Sequence, residues 1–294
     1  MENAAAHRDA GGRTRATLYV VATPIGNLAD IGLRALEVLK SVDAVAAEDT
    51  RVTGRLLAHY GITQRLIPVH EHNERRAVGQ VLALLAAGQS LALTCDAGTP
   101  AISDPGALLV AAVRSAGFPV TPVPGPNAAV AALSASGITA PHFLFYGFLP
   151  ERAAARRRAL SALAKLPFTL VFYEAPHRIT ESVADLRAAL GDNRRIVFAR
   201  ELTKLFETLH ECSLADAESW LAADANQRKG EFVLILEGAE EAAEAESGSA
   251  RRALAILLEA LPLKQAVDLA AKITGGRKNE LYKLALELKK GRES

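Results

Sequence analysis

Residues Leu91 to Gly106 read LALTCDAGTPAISDPG. The apolar run Leu91 to Thr94 has the length and composition of a short buried strand. It ends in Cys95-Asp96 and passes into a turn shaped by Gly98, Pro100, Pro105 and Gly106. Ala107 to Ala116 then resumes an apolar, helix-forming pattern, so strand, loop and helix follow in order. In an open α/β sheet, ligands bind just beyond the carboxyl ends of strands, where a loop of this kind lies. Ser103-Asp104-Pro105 reads as a helix start, with Ser103 or Asp104 as cap and proline at the first helical position. A purely structural turn is the alternative. The crowding of Asp96, Asp104, two prolines and two glycines into so short a loop favours a binding role.

The same alternation extends on both sides. Thr17 to Thr23, Val42 to Ala47, Leu66 to Val69 and Pro119 to Val123 read as further strands, separated by helical patterns, which predicts a parallel sheet over residues 17–140. Their ends carry Pro24 to Leu28, Glu48 to Arg51 and Pro124 to Asn127. Residues 141–150, with four aromatic side chains, read as the connection to a second α/β domain over 151–238. There the basic run Arg156 to Arg158 reads as a solvated helix face, with nucleic-acid contact as the alternative. Strands Phe168 to Tyr173, Ile196 to Arg200 and Phe232 to Glu237 follow, and Phe206 to Cys212 could pair antiparallel. An acidic linker is expected over 239–249, with a partly helical form as the alternative. A helical appendage follows over 250–294, made basic by Lys272, Arg277, Lys278, Lys283, Lys289, Lys290 and Arg292, with Gly275-Gly276 between two helices. Residues 1–16 read as a disordered tail.

Composition narrows the class. Half of the 294 residues are hydrophobic, enough for a substantial core, and the net charge of +1 excludes a strong global field toward nucleic acid. Cys95 and Cys212 form no metal-spacing motif and suit a reducing compartment. The N-terminus lacks a signal-peptide core and no stretch approaches a membrane span, so a cytoplasmic protein without membrane contact is expected. His70, Glu71, His72 and Glu74 are the nearest approach to a ligand set, yet they sit in a loop with no further ligand near. No metal is expected. No phosphate-cradling glycine motif and no nucleophile elbow is present, so neither a nucleoside triphosphate site nor covalent hydrolysis is supported.

TPIGNL at 23–28, AEDTR at 47–51, DAGTPAISDPG at 96–106 and PGPNAA at 124–129 occur in order, followed by YGFLP at 146–150, FYEAPHR at 172–178, ARELTK at 199–204 and KGEFVL at 229–234. Together they closely resemble the bacterial 16S rRNA cytidine-2′-O-methyltransferase family of the tetrapyrrole-methylase superfamily, over about residues 17–238. The basic helical tail resembles that family's helix-turn-helix appendage. Cys95 departs from the pattern, standing where serine is usual.

The resemblance implies two α/β domains, S-adenosylmethionine in the cleft between them, a homodimer, and 16S rRNA within the 30S subunit as substrate. It assigns Asp96, Ala97, Gly98, Thr99, Pro100, Ser103 and Asp104, with Pro126, Asn127 and Ala128, to the cofactor cleft. Pro24 completes one side, and Glu231, Phe232 and Val233 approach from the second domain. A ribose hydroxyl must lose its proton to act as a nucleophile. Asp49, Glu174 and His177 are the candidate bases, and ion pairing of Asp49 with Arg51 and of Glu174 with Arg178 is the alternative. Arg51, Arg178, Arg200 and Lys204 could hold RNA phosphates or serve as salt-bridge partners. Methylation of a tetrapyrrole carbon and non-catalytic RNA binding are the competing functions.

Overall fold

The computed structural model describes residues 16–70, 72–239, 243–275 and 278–290. Five strands, β1 (Leu18–Val21), β2 (Ala44–Ala47), β3 (Leu66–Pro68), β4 (Leu91–Thr94) and β5 (Val120–Val123), form a parallel sheet in the order β3-β2-β4-β1-β5. Helices α1 (Leu33–Ser41), α2 (Thr50–His59), α3 (Glu74–Ala86), α4 (Ala107–Ser115) and α5 (Ala128–Ala135) alternate with them. β2 and β4 are buried at every residue, because helices cover both faces. Leu18, Leu91 and Leu93 pack beneath α3 and α4 on one face, and Val21, Val45 and Ala92 beneath α1 and α2 on the other. Pro68, which cannot donate to a ladder, is tolerated because β3 is an edge strand.

The second sheet contains β6 (Phe143–Phe148), β7 (Thr169–Glu174), β8 (Arg195–Arg200), β9 (Thr208–Ser213) and β10 (Phe232–Leu236), in the order β6-β7-β10-β8-β9. Only the β6–β7 pair is parallel, and the helix α6 (Ala153–Leu163) makes its crossover. Helices α7 (Ile179–Leu190) and α8 (Leu214–Ala223) complete this half. Residues 141–150 are therefore not a connection. Their aromatic residues build an edge strand, bulged between Phe145 and Gly147. Arg156 is not on a solvated face either. Its side chain is buried, with Nε 2.7 Å from Asp185 Oδ2 on α7, because a guanidinium can be buried when a carboxylate meets it.

The two halves share a core. Ala129 and Ala132 of α5, which follows the first sheet, pack on Val171, Val197, Val233 and Ile235 of the second. Among the described residues, those within 16–163 and 169–237 accordingly form one compact unit, and those within 164–168 and 238–290 form another. In the latter, α9 (Ala243–Ala260), α10 (Leu263–Thr274) and α11 (Lys278–Lys290) enclose Leu254, Val267, Ala270, Leu281 and Ala285. Gly275, with φ of 75°, ends α10 in the left-handed cap expected there. The stretch read as an acidic linker is helical from Ala243 onward. Residues 240–242, Gly276, Arg277, Arg292 and Glu71 lie outside the described residues, as does the N-terminal tail, except that Ala16 is buried in the first core.

The start of α4 is held in an unexpected way. Neither Ser103 nor Asp104 caps it; Gly106 is the cap residue, with φ of 125° and no capping side chain. Instead Glu74 Oε1, buried at the start of α3, accepts N–H bonds from Gly106 (3.0 Å), Leu108 (3.0 Å) and Leu109 (3.1 Å). A carboxylate at the positive end of a helix satisfies donors that the helix leaves unpaired. Glu74→Ala should lower unfolding stability by about 2–3 kcal/mol in urea titrations, with Glu74→Gln intermediate because an amide oxygen still accepts.

Candidate functional site

The loops at the carboxyl end of the first sheet face the ends of β7, β8 and β10 across a cavity of about 300 Å³. Its first wall is the loop after β4, stitched to the end of β1. Thr23 N donates to Gly98 O (2.8 Å), Gly98 N donates to Thr23 O (3.0 Å), and Thr23 Oγ1 donates to Cys95 O (3.0 Å). Gly98 adopts φ of 85°, a conformation that a side chain resists. Ala101 (66°) and Ser103 (71°) hold left-handed conformations without that freedom, a strain that clusters at functional loops. Thr99 Oγ1 donates to Pro126 O (3.1 Å), tying this loop to the start of α5. There Asn127 caps the N–H of Val130 (3.1 Å), and the Tyr173 hydroxyl, reaching over from β7, accepts from Ala129 N (3.3 Å).

The opposite wall is built from Tyr173 to Pro176, Phe232 and Val233 of β10, and the turn after β8. Glu201 (φ 51°) and Thr203 (φ 64°) strain that turn as well. It closes against Gly26, whose missing side chain is required: a Cβ there would lie 2.5 Å from Lys204 Cγ and 2.9 Å from Leu202 O. Lys204 Nζ bridges Glu201 (2.8 Å) and Glu231 (2.6 Å).

Charge is distributed unevenly around the cavity. Burial, reinforced by the charge of nearby Glu48, raises the Asp104 carboxyl to a pKa of about 6. Burial also pushes the Glu48 and Asp96 carboxyls up, with Asp96 N donating to Glu48 Oε2 (3.2 Å). Asp49 goes the other way. Hydrogen bonds from Arg51 hold it well below the usual carboxylate range. Burial drives the Cys95 thiol far above its usual range, so it is an un-ionised packing residue.

Ten of the residues expected around the cofactor line the cavity: Ala97, Gly98, Thr99, Ser103 and Asp104 on one side, Asn127 and Ala128 at α5, and Glu231, Phe232 and Val233 opposite. Pro24, Asp96, Pro100 and Pro126 are not part of that lining; Asp96 Oδ1 accepts from Asp49 N (3.1 Å) and Pro126 O accepts from Thr99 Oγ1. Of the three candidate bases only Glu174 reaches the cavity wall. Its buried carboxylate is engaged by Ser182 Oγ (2.5 Å), Ala175 N (2.9 Å) and Arg178 Nε (3.2 Å). Asp49 caps α2 and pairs with Arg51, while His177 is exposed in a turn off the wall.

Among the basic residues Lys204 alone lines the cavity. Arg51 is exposed beside Asp49; Arg178 donates to Leu149 O (2.5 Å) as well as to Glu174; buried Arg200 supports the carbonyls of Lys229 and Phe206. The apolar lining of Ile25, Ile102, Phe148 and Leu202, with Tyr173, was not anticipated. Each lies within a motif already singled out, which is the signal that could have found it. Among the described residues no three His, Cys, Asp or Glu side chains gather as metal ligands.

Residues 17–218 match the family of Tetrapyrrole (Corrin/Porphyrin) Methylases, and residues 241–289 match the RsmI C-terminal HTH domain. Proteins named ribosomal RNA small subunit methyltransferase I are 53% identical in Escherichia coli O157:H7, over 92% of this chain and 94% of that one, and 53% identical in Pseudomonas aeruginosa, over 92% and 97%. The chain belongs to the ribosomal RNA small subunit methyltransferase I family. Solved structures share the two-sheet fold at low identity: the methyltransferase CobJ (TM-score 0.57, 20% identical, 76% of this chain and 95% of that one) and uroporphyrin-III-C-methyltransferase from Thermus thermophilus (TM-score 0.54, 22%, 76% and 94%). Family membership extends over both compact units, since the two matched regions together run from 17 to 289.

The Asp104 shift has a thermodynamic signature. Its pKa is higher folded (about 6) than unfolded (about 4), so the folded chain holds the proton more tightly and stability falls as pH rises between those values. Asp104→Asn removes that slope. Denaturation at about pH 4 and about pH 7.5 should show the variant gaining stability over wild type mainly at the higher pH.

Proposed function

We propose that this chain, a methyltransferase of the small-subunit ribosomal RNA family, transfers a methyl group from S-adenosylmethionine to the 2′-hydroxyl of a cytidine in 16S rRNA. In this reading it is a cytoplasmic homodimer acting on the assembled 30S particle. The observation that carries the reading is one cavity to which the motifs DAGTP, PNA, YEAP and GEFV each contribute residues, in a chain whose relatives of about half-identical sequence are named for ribosomal RNA. The tetrapyrrole methylases among the solved structures are too distant in sequence to argue more than the fold. No helix among the described residues is long and apolar enough to cross a membrane.

The lining fits such a cofactor. Apolar Ile25, Ile102, Leu202 and Val233 suit a nucleoside, and the start of α5 beside Asn127 and Ala128 suits a carboxylate. Asp104 supplies negative charge that a cationic ligand would favour in its ionised form. Bound S-adenosylmethionine supplies an electrophilic methyl group on a good leaving group. This chain's residues then serve chiefly to position: the strained loops fix both walls, and alignment of two bound reactants accounts for much of the acceleration, with effective molarities of about 10⁵ M or more. Glu174, fully engaged by Arg178 and Ser182, holds the corner between Leu149 and Ala175 rather than standing free as a base.

The helical unit offers the RNA affinity that a near-neutral chain lacks elsewhere. Lys264, Lys272 and Lys283 are exposed on α10 and α11. Replacing all three by alanine should flatten the slope of log affinity against log salt by roughly 2, since each phosphate contact contributes about 0.7–0.9. Binding titrations with 16S rRNA at several salt concentrations read this directly, and an unchanged slope would assign the unit to another role.

Substrate form is testable too. A hydroxyl acceptor must be splayed from its stack to enter a cavity, and an assembled particle restricts that nucleotide more than free RNA does. Tritiated-methyl transfer should therefore be much faster on 30S particles than on protein-free 16S rRNA. Nucleoside mass spectrometry should show one 2′-O-methylcytidine lost when the gene is removed. Altered corrinoids or haems with unchanged rRNA would overturn the reading.

A further inference from the structure

Beside the cavity, two large apolar side chains are held out in solvent. Leu205 is 89% exposed and Phe206 67% exposed. Burial of a phenylalanine contributes roughly 1.5–3 kcal/mol, so an aromatic ring left outside invites a reason. The loop that carries it is not slack. Arg200, only 9% exposed, donates Nη2 to Phe206 O (3.1 Å) and to Thr208 Oγ1 (3.0 Å), and Thr208 Oγ1 donates to Phe206 O (3.1 Å). Glu207 Oε2 accepts from Thr203 N (2.5 Å), and Glu207 N donates to Lys204 O (3.1 Å). Glu201 and Thr203 sit at positive φ, so the turn keeps a strained shape that these bonds enforce. Lys204, two residues before Phe206, lines the cavity. Consecutive Cα atoms are about 3.8 Å apart, which keeps the Phe206 Cα within about 8 Å of the Lys204 Cα.

We infer that Phe206 is a positioning residue for RNA: its ring stacks on an unpaired base next to the nucleotide whose ribose enters the cavity. The inference rests on the RNA-methylation reading above. Unstacked bases are held in RNA-binding proteins by aromatic faces, a contact indifferent to base identity and available only to a ring kept exposed. A second copy of the chain is the weaker occupant. Leu205 and Phe206 expose a few hundred Å² at most, short of the roughly 800 Å² per partner that stable association buries. The turn's own charges, Lys204 with Glu201 and Glu231, are paired among themselves. Leu205 and the Phe206 ring are thus the turn's unspent contacts, and of the two only the ring can stack on a base.

The test uses the full-length chain, 30S particles and S-adenosylmethionine. Phe206→Ala should raise KM for the particle by roughly 5- to 150-fold, the effect of losing one base–aromatic stack. Cofactor affinity by calorimetry and oligomeric state by light scattering should stay as in wild type. Phe206→Trp should restore KM, whereas Phe206→Leu, apolar but without a ring, should remain close to the alanine variant. An unchanged KM for Phe206→Ala, or full rescue by leucine, overturns the inference while leaving methylation intact. Loss of cofactor binding or of oligomeric state in step with activity also overturns it, assigning the ring to the pocket or to a second copy. A wild-type chain that binds cofactor but methylates no ribosomal RNA refutes the underlying reading, and the inference goes with it.

Discussion

The three hydrogen bonds that Glu74 Oε1 accepts from Gly106, Leu108 and Leu109 tie the start of α3 to the start of α4, and so fix where the loop between β4 and α4 must end. Its other end is fixed by the paired backbone bonds between Thr23 and Gly98. Held at both ends, the loop can keep Gly98, Ala101 and Ser103 in left-handed conformations that an unanchored segment would abandon. The cavity wall is the product of that restraint. Without it the side chains of Thr99 and Asp104 would have no defined direction.

The second wall repeats the device with different parts. Every non-glycine residue at positive φ among the described residues, Ala101, Ser103, Glu201 and Thr203, lies in one of the two loops that flank the cavity. Glu201 and Thr203 are restrained by Lys204, Glu231 and Glu207 rather than by a helix terminus. The walls are fastened to each other by α5, which belongs to the first sheet by connection and to the second by packing, and by the Tyr173 hydroxyl at its start. Gly26 lets the loop after β1 approach the turn after β8 more closely than a side chain would allow. A cavity made this way has little freedom to collapse, which suits a reaction whose acceleration comes from alignment.

The acidic side chains at the strand ends divide by surroundings, not by residue type. Asp49 and Asp104 are both aspartates in conspicuous motifs. One is locked by an exposed arginine two residues away and titrates unusually low; the other, partly buried near Glu48, titrates unusually high. The motif strings AEDTR and SDPG could not assign those opposite behaviours. The Asp49–Arg51 pair was foreseeable, because its members are neighbours in sequence. The neighbourhood of Asp104 with Glu48 was not, because β2 and β4 bring together segments more than fifty residues apart.

Strand-loop-helix order, the parallel sheet over the first half, the loops at strand ends and the helical appendage could be read from the chain, because each depends on hydrophobic period and turn residues within a few positions. Family resemblance added the expected cofactor and the residues assigned to its cleft, ten of which line the cavity. What folding alone decided was pairing at a distance. Residues 141–150 look like a linker until β7 offers them an edge, and Arg156 looks solvated until Asp185 of α7 meets it. The cap of α4 looks local until Glu74 supplies it. A side chain's own sequence neighbours state its propensity. Whether its charge or backbone is satisfied depends on groups that only the packed sheets and helices bring within hydrogen-bonding reach.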